Sequence, residues 1–204
     1  MPRWVHWVPT RGTLPASPPW REGQVPVMFI HGTMASPGNF EIPARLLARR
    51  GIPFFAPGFG ERGTGDLGAS LRELLHVVDA HPADQIDIVG HSLGGLLGLQ
   101  IAQARPGRVR TLVGLGACYR GVPRRPRFPR LTRNLLGAAY VQLTEVERFS
   151  DAVPEGTRVV SILSDADAVV PGASSRLGEV VAVRGVRHER LPQLGAAIVQ
   201  ALGY

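Results

Sequence analysis

Short apolar runs alternate with longer amphipathic segments along the 204 residues of this chain. Continuous apolar runs of four to eight residues are typical of strands that are covered on both faces. The runs that predict strands are Val25–Ile30, Ile52–Ala56, Ile86–Val89, Val109–Gly116, Arg158–Ser164 and Glu179–Val183. We therefore expect a sheet of buried, mainly parallel strands.

The segments between these runs carry the spacing of helices. One helix is predicted from about Asn39 to Arg50, where Gly51 ends it, and a second from Asp66 to the residues before Pro82. Leu93–Ala104 and Leu191–Leu202 predict two more. Strands that alternate with helices in this way predict an α/β protein, with helices on both faces of a parallel sheet. No internal repeat or linker divides the chain, so we expect a single domain over residues 25–204.

Two regions lack this alternation. Residues 1–24 contain five prolines and all three tryptophans, Trp4, Trp7 and Trp20. They predict an N-terminal arm that packs on the domain, with a short leading strand at Trp4–Val8. About forty residues, Ala117 to Thr157, separate two strands, and two short helices are predicted there at Leu131–Val141 and Thr144–Phe149.

Composition narrows the classes of protein. Apolar residues make up 44% of the chain and charged residues 19%, which suits a globular domain with one core. No run reaches the 18 or so apolar residues of a membrane helix, and the first 25 residues lack the pattern of a signal peptide. We expect a cytoplasmic protein without integral membrane association. The single cysteine, Cys118, predicts a buried filler rather than a metal ligand.

The net charge of +7 raises the possibility of a nucleic-acid partner. All 23 basic residues are arginine, however, and they are spread over the chain apart from one cluster. The cluster is Arg120, Arg124, Arg125, Arg127, Arg130 and Arg133. Prolines interrupt it and it matches no nucleic-acid-binding motif, so it predicts a solvated loop and no nucleic-acid partner.

Gly90, Ser92 and Gly94 match the pattern G-x-S-x-G between a predicted strand and a predicted helix. The turn must be tight, and glycines two residues before and after the serine avoid collisions there. Such a turn exposes the hydroxyl of Ser92, and the start of the next helix offers a free N–H and a partial positive charge. The pattern predicts a nucleophilic serine.

A nucleophilic serine needs a base, an acid and two oxyanion donors. Of the six histidines, only His188 follows the last predicted strand, Glu179–Val183, so it is the candidate base. Asp165 and Asp167 follow the preceding strand, and either can supply the acid. We favour the backbone N–H groups of Thr33 and Leu93 as donors. His31 is expected to hold the loop that contains Thr33 by hydrogen bonds, and His91 is expected to pack beside the turn at Ser92.

With these motifs the chain resembles the α/β-hydrolase family, and is most similar to small bacterial lipases and carboxylesterases. The motifs are the strand followed by His31-Gly-Thr-Met34, Gly90-His-Ser-Leu-Gly-Gly95, Asp167-Ala-Val-Val-Pro171 and the late His188. The resemblance implies Ser92 as nucleophile, Asp167 as acid, His188 as base, and Thr33 and Leu93 as oxyanion donors. It implies cleavage of small-molecule or lipid esters without a metal or other cofactor.

In this fold the segment at about 117–157 lies over the strand ends, which predicts a small cap. The residues predicted to line an acyl pocket are Met34, Leu135, Leu136, Tyr140, Val141 and Leu143. A cap of this size predicts hydrolysis of short and medium acyl esters without strong activation at lipid interfaces. The sequence leaves three other reactions open for the same triad, namely those of a thioesterase, an amidase or an acyltransferase. A fourth alternative is a binding scaffold without catalysis.

Overall fold

Six parallel strands form one sheet in the computed structural model, which describes residues 10–123 and 126–204. The strands are β1 (Val27–Ile30), β2 (Phe54–Phe55), β3 (Ile86–His91), β4 (Val109–Leu115), β5 (Arg158–Ser164) and β6 (Glu179–Val183). Their order across the sheet is β2-β1-β3-β4-β5-β6. The chain moves outward from β1 to β2 and then returns to the other side of β1, so the loops after β1 and β3 meet at the point where the order reverses. In parallel sheets this is where ligands bind.

The helical segments of the described residues are α1 (Glu41–Arg49), α2 (Gly60–Gly63), α3 (Leu67–Ala80), α4 (Leu93–Ala104), α5 (Pro129–Leu136), α6 (Ala138–Gln142), α7 (Gly172–Ser175) and α8 (Gly195–Leu202). Helices α3 and α4 cover one face of the sheet, and α1 and α8 cover the other. Within the same residues, 3₁₀ turns lie at Pro37–Phe40, Val146–Arg148 and His188–Gln193. None of the helices in the described part of the chain is both long and apolar enough to cross a bilayer.

Alternation along the strands produces two apolar cores. Met28 and Ile30 of β1 pack with α3 and α4 on one face, whereas Val27 and Phe29 pack with α1 and α8 on the other. Successive side chains of a strand point to opposite faces, so a strand that is buried on both sides has no polar face. The prediction of a single-domain α/β fold with a mainly parallel sheet is confirmed.

The segment predicted to form a cap differs from the expected pair of helices. Gly137 adopts φ 95° and divides the predicted Leu131–Val141 helix into α5 and α6. A Cβ atom on Gly137 would collide with the carbonyl of Thr64, so the chain needs glycine to make this close approach. Only a 3₁₀ turn, Val146–Arg148, forms where the second cap helix was expected. Arg124 and Arg125 of the arginine cluster lie outside the described residues.

The arm before β1 is described only from Thr10 onward. Trp20 packs edge-on against His81, and its Nε1–H donates to the carbonyl of Gln24 at 2.9 Å. Ser17 accepts the backbone N–H of Phe54 at 2.9 Å, which joins this part of the arm to β2. Trp4, Trp7 and the strand predicted at Trp4–Val8 lie outside the described residues.

Candidate active site

Ser92 occupies a strained turn between β3 and α4. Its backbone angles are φ 54° and ψ −118°, a combination that residues with a side chain rarely adopt. Cβ atoms on Gly90 and Gly94 would collide with the carbonyls of Gly94 and Ile30, respectively, so neither position tolerates a side chain. The turn is further held by the Ser92 N–H, which donates to the carbonyl of Leu115 at 3.0 Å. This arrangement places Ser92 at the carboxyl edge of the sheet.

Two backbone N–H groups are candidates for binding an oxyanion. Leu93 is the first residue of α4, where no preceding helical turn supplies an acceptor for its N–H. In the loop after β1, the N–H of Met34 donates to the carbonyl of Arg62 at 2.8 Å and is therefore occupied. No acceptor for the Thr33 N–H is found within residues 10–123 and 126–204. Of these neighbouring groups in the loop, Thr33 rather than Met34 is available to an anion.

A left-handed turn, α2, supports this loop. Gly60, Glu61, Arg62 and Gly63 all have φ between 48° and 70°, and two of them carry side chains. From this turn the Arg62 guanidinium donates to the carbonyls of Met34 at 2.8 Å and Ala35 at 3.2 Å. In the sequence this region is marked only by four glycines within residues 57–65. The density of glycine was the one available signal of unusual backbone.

His188 and Asp167 form a buried pair. Nδ1 of His188 lies 2.7 Å from Oδ2 of Asp167, and the two side chains are only 9% and 5% exposed. The other oxygen, Oδ1, accepts the N–H groups of Val169 and Val170 at 2.9 and 3.0 Å. Burial acts to raise the pKa of Asp167, but the hydrogen bonds from His188 and these N–H groups outweigh it, so the pKa lies below its usual value. Asp167 is therefore a carboxylate at neutral pH.

Gly116, at the end of β4, makes room for this pair. With φ 51°, it sits so close that a Cβ atom would lie 2.7 Å from Oδ2 of Asp167 and 3.0 Å from Nδ1 of His188. Sequence reasoning assigned Gly116 only to the end of a strand. Its role depends on a contact between β4 and two distant loops, which no local pattern reveals.

Asp165, the other candidate acid, has different partners. Its Oδ1 accepts the N–H of Gly185 at 2.7 Å, which joins the loops that follow β5 and β6. This backbone partner lies 20 residues away along the chain. Asp165 does not line the cavity at Ser92.

His91 packs beside the base. Its Nε2 lies 3.0 Å from the carbonyl oxygen of His188, and the two rings are 4.6 Å apart. A carbonyl can only accept, so Nε2 carries the proton of a neutral ring. Burial, followed by the positive charge that His188 can carry, lowers the pKa of His91 to about 3. His91 therefore stays neutral and holds the backbone of His188.

His31 plays a similar part on the opposite loop. Its Nδ1 contacts the carbonyl of Gly32 at 2.9 Å, and its ring stacks on Phe59 at 4.5 Å. Burial lowers the pKa of His31 to about 4. Cys118 is also buried, and burial raises the pKa of its thiol to about 12, so no thiolate nucleophile is available there at neutral pH.

A cavity of about 900 Å3 joins these groups. Ser92, His91, Asp167 and His188 lie at its base, with Thr33 and Met34 from the loop after β1. The polar residues of the lining include Arg11, Asn39, Arg62 and Glu189, and none of them was predicted from the sequence. The apolar residues of the lining include Val122, Pro123, Tyr140, Leu143, Val169, Val170 and Pro171. A volume of this size suits a small organic ligand.

Three of the six residues predicted to line an acyl pocket do so, namely Met34, Tyr140 and Leu143. Leu135, Leu136 and Val141 do not line the cavity, and that part of the prediction is wrong. The break at Gly137 accounts for Leu135 and Leu136, because α5 lies away from the core and none of its residues is buried. Hydrophobicity alone does not distinguish a side chain that faces a cavity from one that faces outward.

The described residues include no group of three or more His, Cys, Asp or Glu side chains arranged to hold a metal ion. The chemistry that the residues themselves offer is nucleophilic. Ser92 on its strained turn, a histidine oriented by a carboxylate, and Thr33 with its free N–H line one cavity, and Leu93 follows Ser92 directly in the chain.

Comparisons with known proteins identify the family of the chain. A family model described as "Alpha/beta hydrolase family" matches residues 27–199. In sequence, the chain is 32% identical over 133 residues to the dihydrolipoyllysine-residue acetyltransferase component of the acetoin cleaving system of Pseudomonas putida. That match covers 60% of this chain but only 36% of the relative. The chain thus spans about a third of the length of this curated relative.

Solved structures share the fold. A monoacylglycerol lipase of Paleococcus ferrophilus superimposes with a TM-score of 0.68 at 17% identity, over 89% of this chain and 94% of the lipase. A thioesterase domain from the curacin biosynthetic pathway gives a TM-score of 0.63 at 15% identity, over 91% and 93% of the two chains. At these identities the likeness shows the fold alone.

Proposed function

The chain belongs to the alpha/beta hydrolase family, and from this premise we propose that it is a serine hydrolase that cleaves carboxylic esters through an acyl-enzyme on Ser92. The observation that carries the proposal is the buried Asp167–His188 pair in the same cavity as the strained Ser92. Family membership supports a hydrolase, and the identity of the three catalytic residues and of the scissile bond are part of the proposal.

The reaction begins with proton transfer. Asp167 accepts a hydrogen bond from Nδ1–H of His188, which leaves Nε2 of His188 free to take the proton of Ser92. The Ser92 oxygen attacks the ester carbonyl, and the carbonyl oxygen becomes an oxyanion. The N–H groups of Thr33 and Leu93, together with the partial positive charge at the start of α4, stabilise this anion.

Collapse of this intermediate breaks the bond to the alcohol. His188 returns its proton to the leaving oxygen, and an acyl group remains on Ser92. Water then attacks the acyl group with His188 again as base, and the acid is released. Each donor of the oxyanion site is a backbone group, so substitution of the Thr33 or Leu93 side chain would not remove it. Loss of one donor of this type lowers kcat roughly 10²–10³-fold.

The cavity favours esters of modest size. Its apolar lining residues, such as Tyr140, Leu143 and Val170, suit a short or medium acyl chain. Its polar lining residues, such as Arg11, Asn39 and Arg62, suit a more hydrophilic leaving group. The substrate class in this proposal is therefore an ester with an apolar acyl part.

Ser92→Ala tests the proposal. The change deletes one oxygen and creates no core cavity, so we expect loss of ester hydrolysis and of fluorophosphonate labelling with an unchanged folded structure. Nitrophenyl esters of increasing acyl length would measure the rates, and circular dichroism would check the fold. Ser150→Ala is a matched control, because Ser150 is exposed and lies outside the cavity. Turnover by Ser92→Ala above a few per cent of the wild-type rate would refute the proposal.

Thioester cleavage is a second candidate, because a thioesterase domain shares the fold. The same nucleophile, base and oxyanion donors would serve a thioester, whose leaving group is a thiolate that needs less assistance from a protonated base. An acyl-thioester tested beside the oxygen ester of the same acid discriminates the two. A much higher kcat/KM for the thioester would make thioester hydrolysis the principal activity.

A further inference from the structure

Helix α5 exposes an apolar face. Phe128, which precedes the helix, and Leu131 are 61% and 55% exposed, and no residue of α5 is buried. Leu135 follows Leu131 at a helical spacing that places it on the same side, and it is 51% exposed. A helix whose apolar side faces outward in this way is unusual, since burial of that side is what normally stabilises a short helix. We call Phe128, Leu131 and Leu135 the α5 face.

The cavity mouth also carries exposed apolar residues. Tyr140 of α6 and Val169 after β5 both line the cavity, and they are 40% and 56% exposed. Helices α5 and α6 are joined directly through Gly137 and pack against each other. An apolar surface that engaged the α5 face would thus lie near the entrance to Ser92.

Charge indicates what the α5 face contacts. The sequence from Gly121 to Thr144 contains five arginines and no Asp or Glu. Three of them, Arg127, Arg130 and Arg133, are described, and the guanidinium of Arg127 lies 5.5 Å from the ring centre of Phe128. A second copy of this chain would bring the same arginines together and be repelled. Arginines beside Phe and Leu on a short helix are typical of helices that bind at the surface of an anionic membrane.

We propose that α5 attaches the protein to anionic lipid surfaces. Phe128 and Leu131 enter the boundary between headgroups and acyl chains, while the arginines contact lipid phosphates. The association is peripheral, and it brings the cavity close to lipid-borne substrate without any opening of a lid. It does not depend on the proposed hydrolysis, and a variant without Ser92 tests it separately.

The test is cosedimentation of the full chain, as Ser92→Ala, with vesicles. We expect binding to mixed phosphatidylcholine and phosphatidylglycerol vesicles and little binding to phosphatidylcholine alone. Each arginine near such a surface strengthens binding about fivefold, so Arg130→Gln with Arg133→Gln should weaken it roughly 30-fold. Leu131→Ser should weaken it about tenfold through lost apolar burial. Added salt should weaken the wild-type binding, because it screens surface charge.

Matched controls separate a local effect from a general one. Arg49→Gln with Arg184→Gln removes the same charge at exposed sites on α1 and after β6, and Val180→Ser removes an exposed apolar group from β6. Both should bind as the parent does. Hydrolysis of a soluble ester by the α5 variants, with Ser92 restored, should stay within about twofold of wild type, since neither change lies in the cavity.

Absence of binding to the anionic vesicles would overturn the proposal. So would equal binding by the parent and the Arg130→Gln, Arg133→Gln variant. If the parent instead forms dimers that Leu131→Ser dissociates, without vesicle binding, the α5 face is a contact between copies. Retention of an acidic protein with no vesicle binding would assign the face to a protein partner.

Discussion

Two carboxylates follow β5, and their hydrogen bonds separate their roles. Asp167 contacts His188 at 2.7 Å, whereas Asp165 accepts the N–H of Gly185. We expect Asp167→Asn to lower kcat by ~10⁴, because an amide cannot hold the required histidine tautomer or balance its charge. Asp165→Asn should change kcat by less than about tenfold, since its carboxyl joins two loops. Both variants are measured on one soluble ester, and the reverse ranking would transfer the acid role to Asp165.

His91 is a neutral residue that holds the proposed base, His188, in position. Its ring contacts the His188 carbonyl at 3.0 Å and packs on the His188 ring. We expect His91→Leu to lower kcat about 10- to 100-fold with little change in KM, because loss of this bond lets the base shift from its productive position. His91→Gln retains an N–H donor of similar reach and should recover most of the rate. Equal losses in the two variants would show that the hydrogen bond is not the cause.

At the scale of elements, the left-handed turn α2 supports the loop after β1, which carries the proposed oxyanion donor Thr33. The Arg62 guanidinium donates to the carbonyls of Met34 and Ala35, and the carbonyl of Arg62 accepts the Met34 N–H. Lysine cannot reproduce this fork, so we expect Arg62→Lys to lower kcat by up to about 10²-fold with a smaller change in KM. Steady-state kinetics on a soluble ester would measure both constants.

Glu61→Gly is the matched control for Arg62→Lys. Glu61 has φ 51° in the same turn, but its side chain is not among those that line the cavity. The left-handed backbone conformation costs a residue with a Cβ atom roughly 1–2 kcal/mol of folding free energy, and glycine avoids this cost. The variant should therefore keep its kcat and be at least as stable as wild type. A fall in kcat as large as that of Arg62→Lys would point to the turn as a whole rather than to the guanidinium.

For the whole molecule, buried neutral histidines predict a loss of stability in mild acid. Burial lowers the pKa of His31 to about 4 and of His91 to about 3, from 6.5 in each case. Below pH 6.5 the unfolded chain binds protons that the folded chain does not, so the free energy of unfolding falls as pH decreases from 6.5 toward 4. Each histidine contributes about 1.4 kcal/mol per pH unit over most of that range.

Urea unfolding at a series of pH values measures this slope. His91→Gln removes one titrating group and should reduce the slope by about 1.4 kcal/mol per pH unit, whatever its effect on absolute stability. Carboxylates with a lowered pKa, such as Asp167, begin to lose their stabilising effect only below about pH 5. They therefore do not account for the change expected between pH 6.5 and 5. A flat profile between pH 6.5 and 4 would contradict the prediction.

Much of the fold could be predicted because the apolar positions within each strand or helix reflect which of its faces are buried. A strand such as β1 is apolar at consecutive positions, since both faces of a parallel sheet are covered, and the helices between the strands show an apolar stripe. The family followed from short motifs at the strand ends, and the family match confirms it. The turn at Ser92 belongs in this class, because its glycines are required by contacts within a few residues and by the neighbouring strand.

The tertiary structure decided which residues meet across the sheet edge. The sequence favoured Asp167 over Asp165 as the acid, but only the fold of the loops after β5 and β6 gave the two carboxylates separate partners. The roles of Gly116 and Arg62 likewise rest on contacts between segments far apart in the chain. The sequence also did not show which way the apolar face of α5 is turned. An apolar stripe specifies that one side of a helix avoids water. The packing of the surrounding chain determines whether that side meets a core, a cavity or the outside.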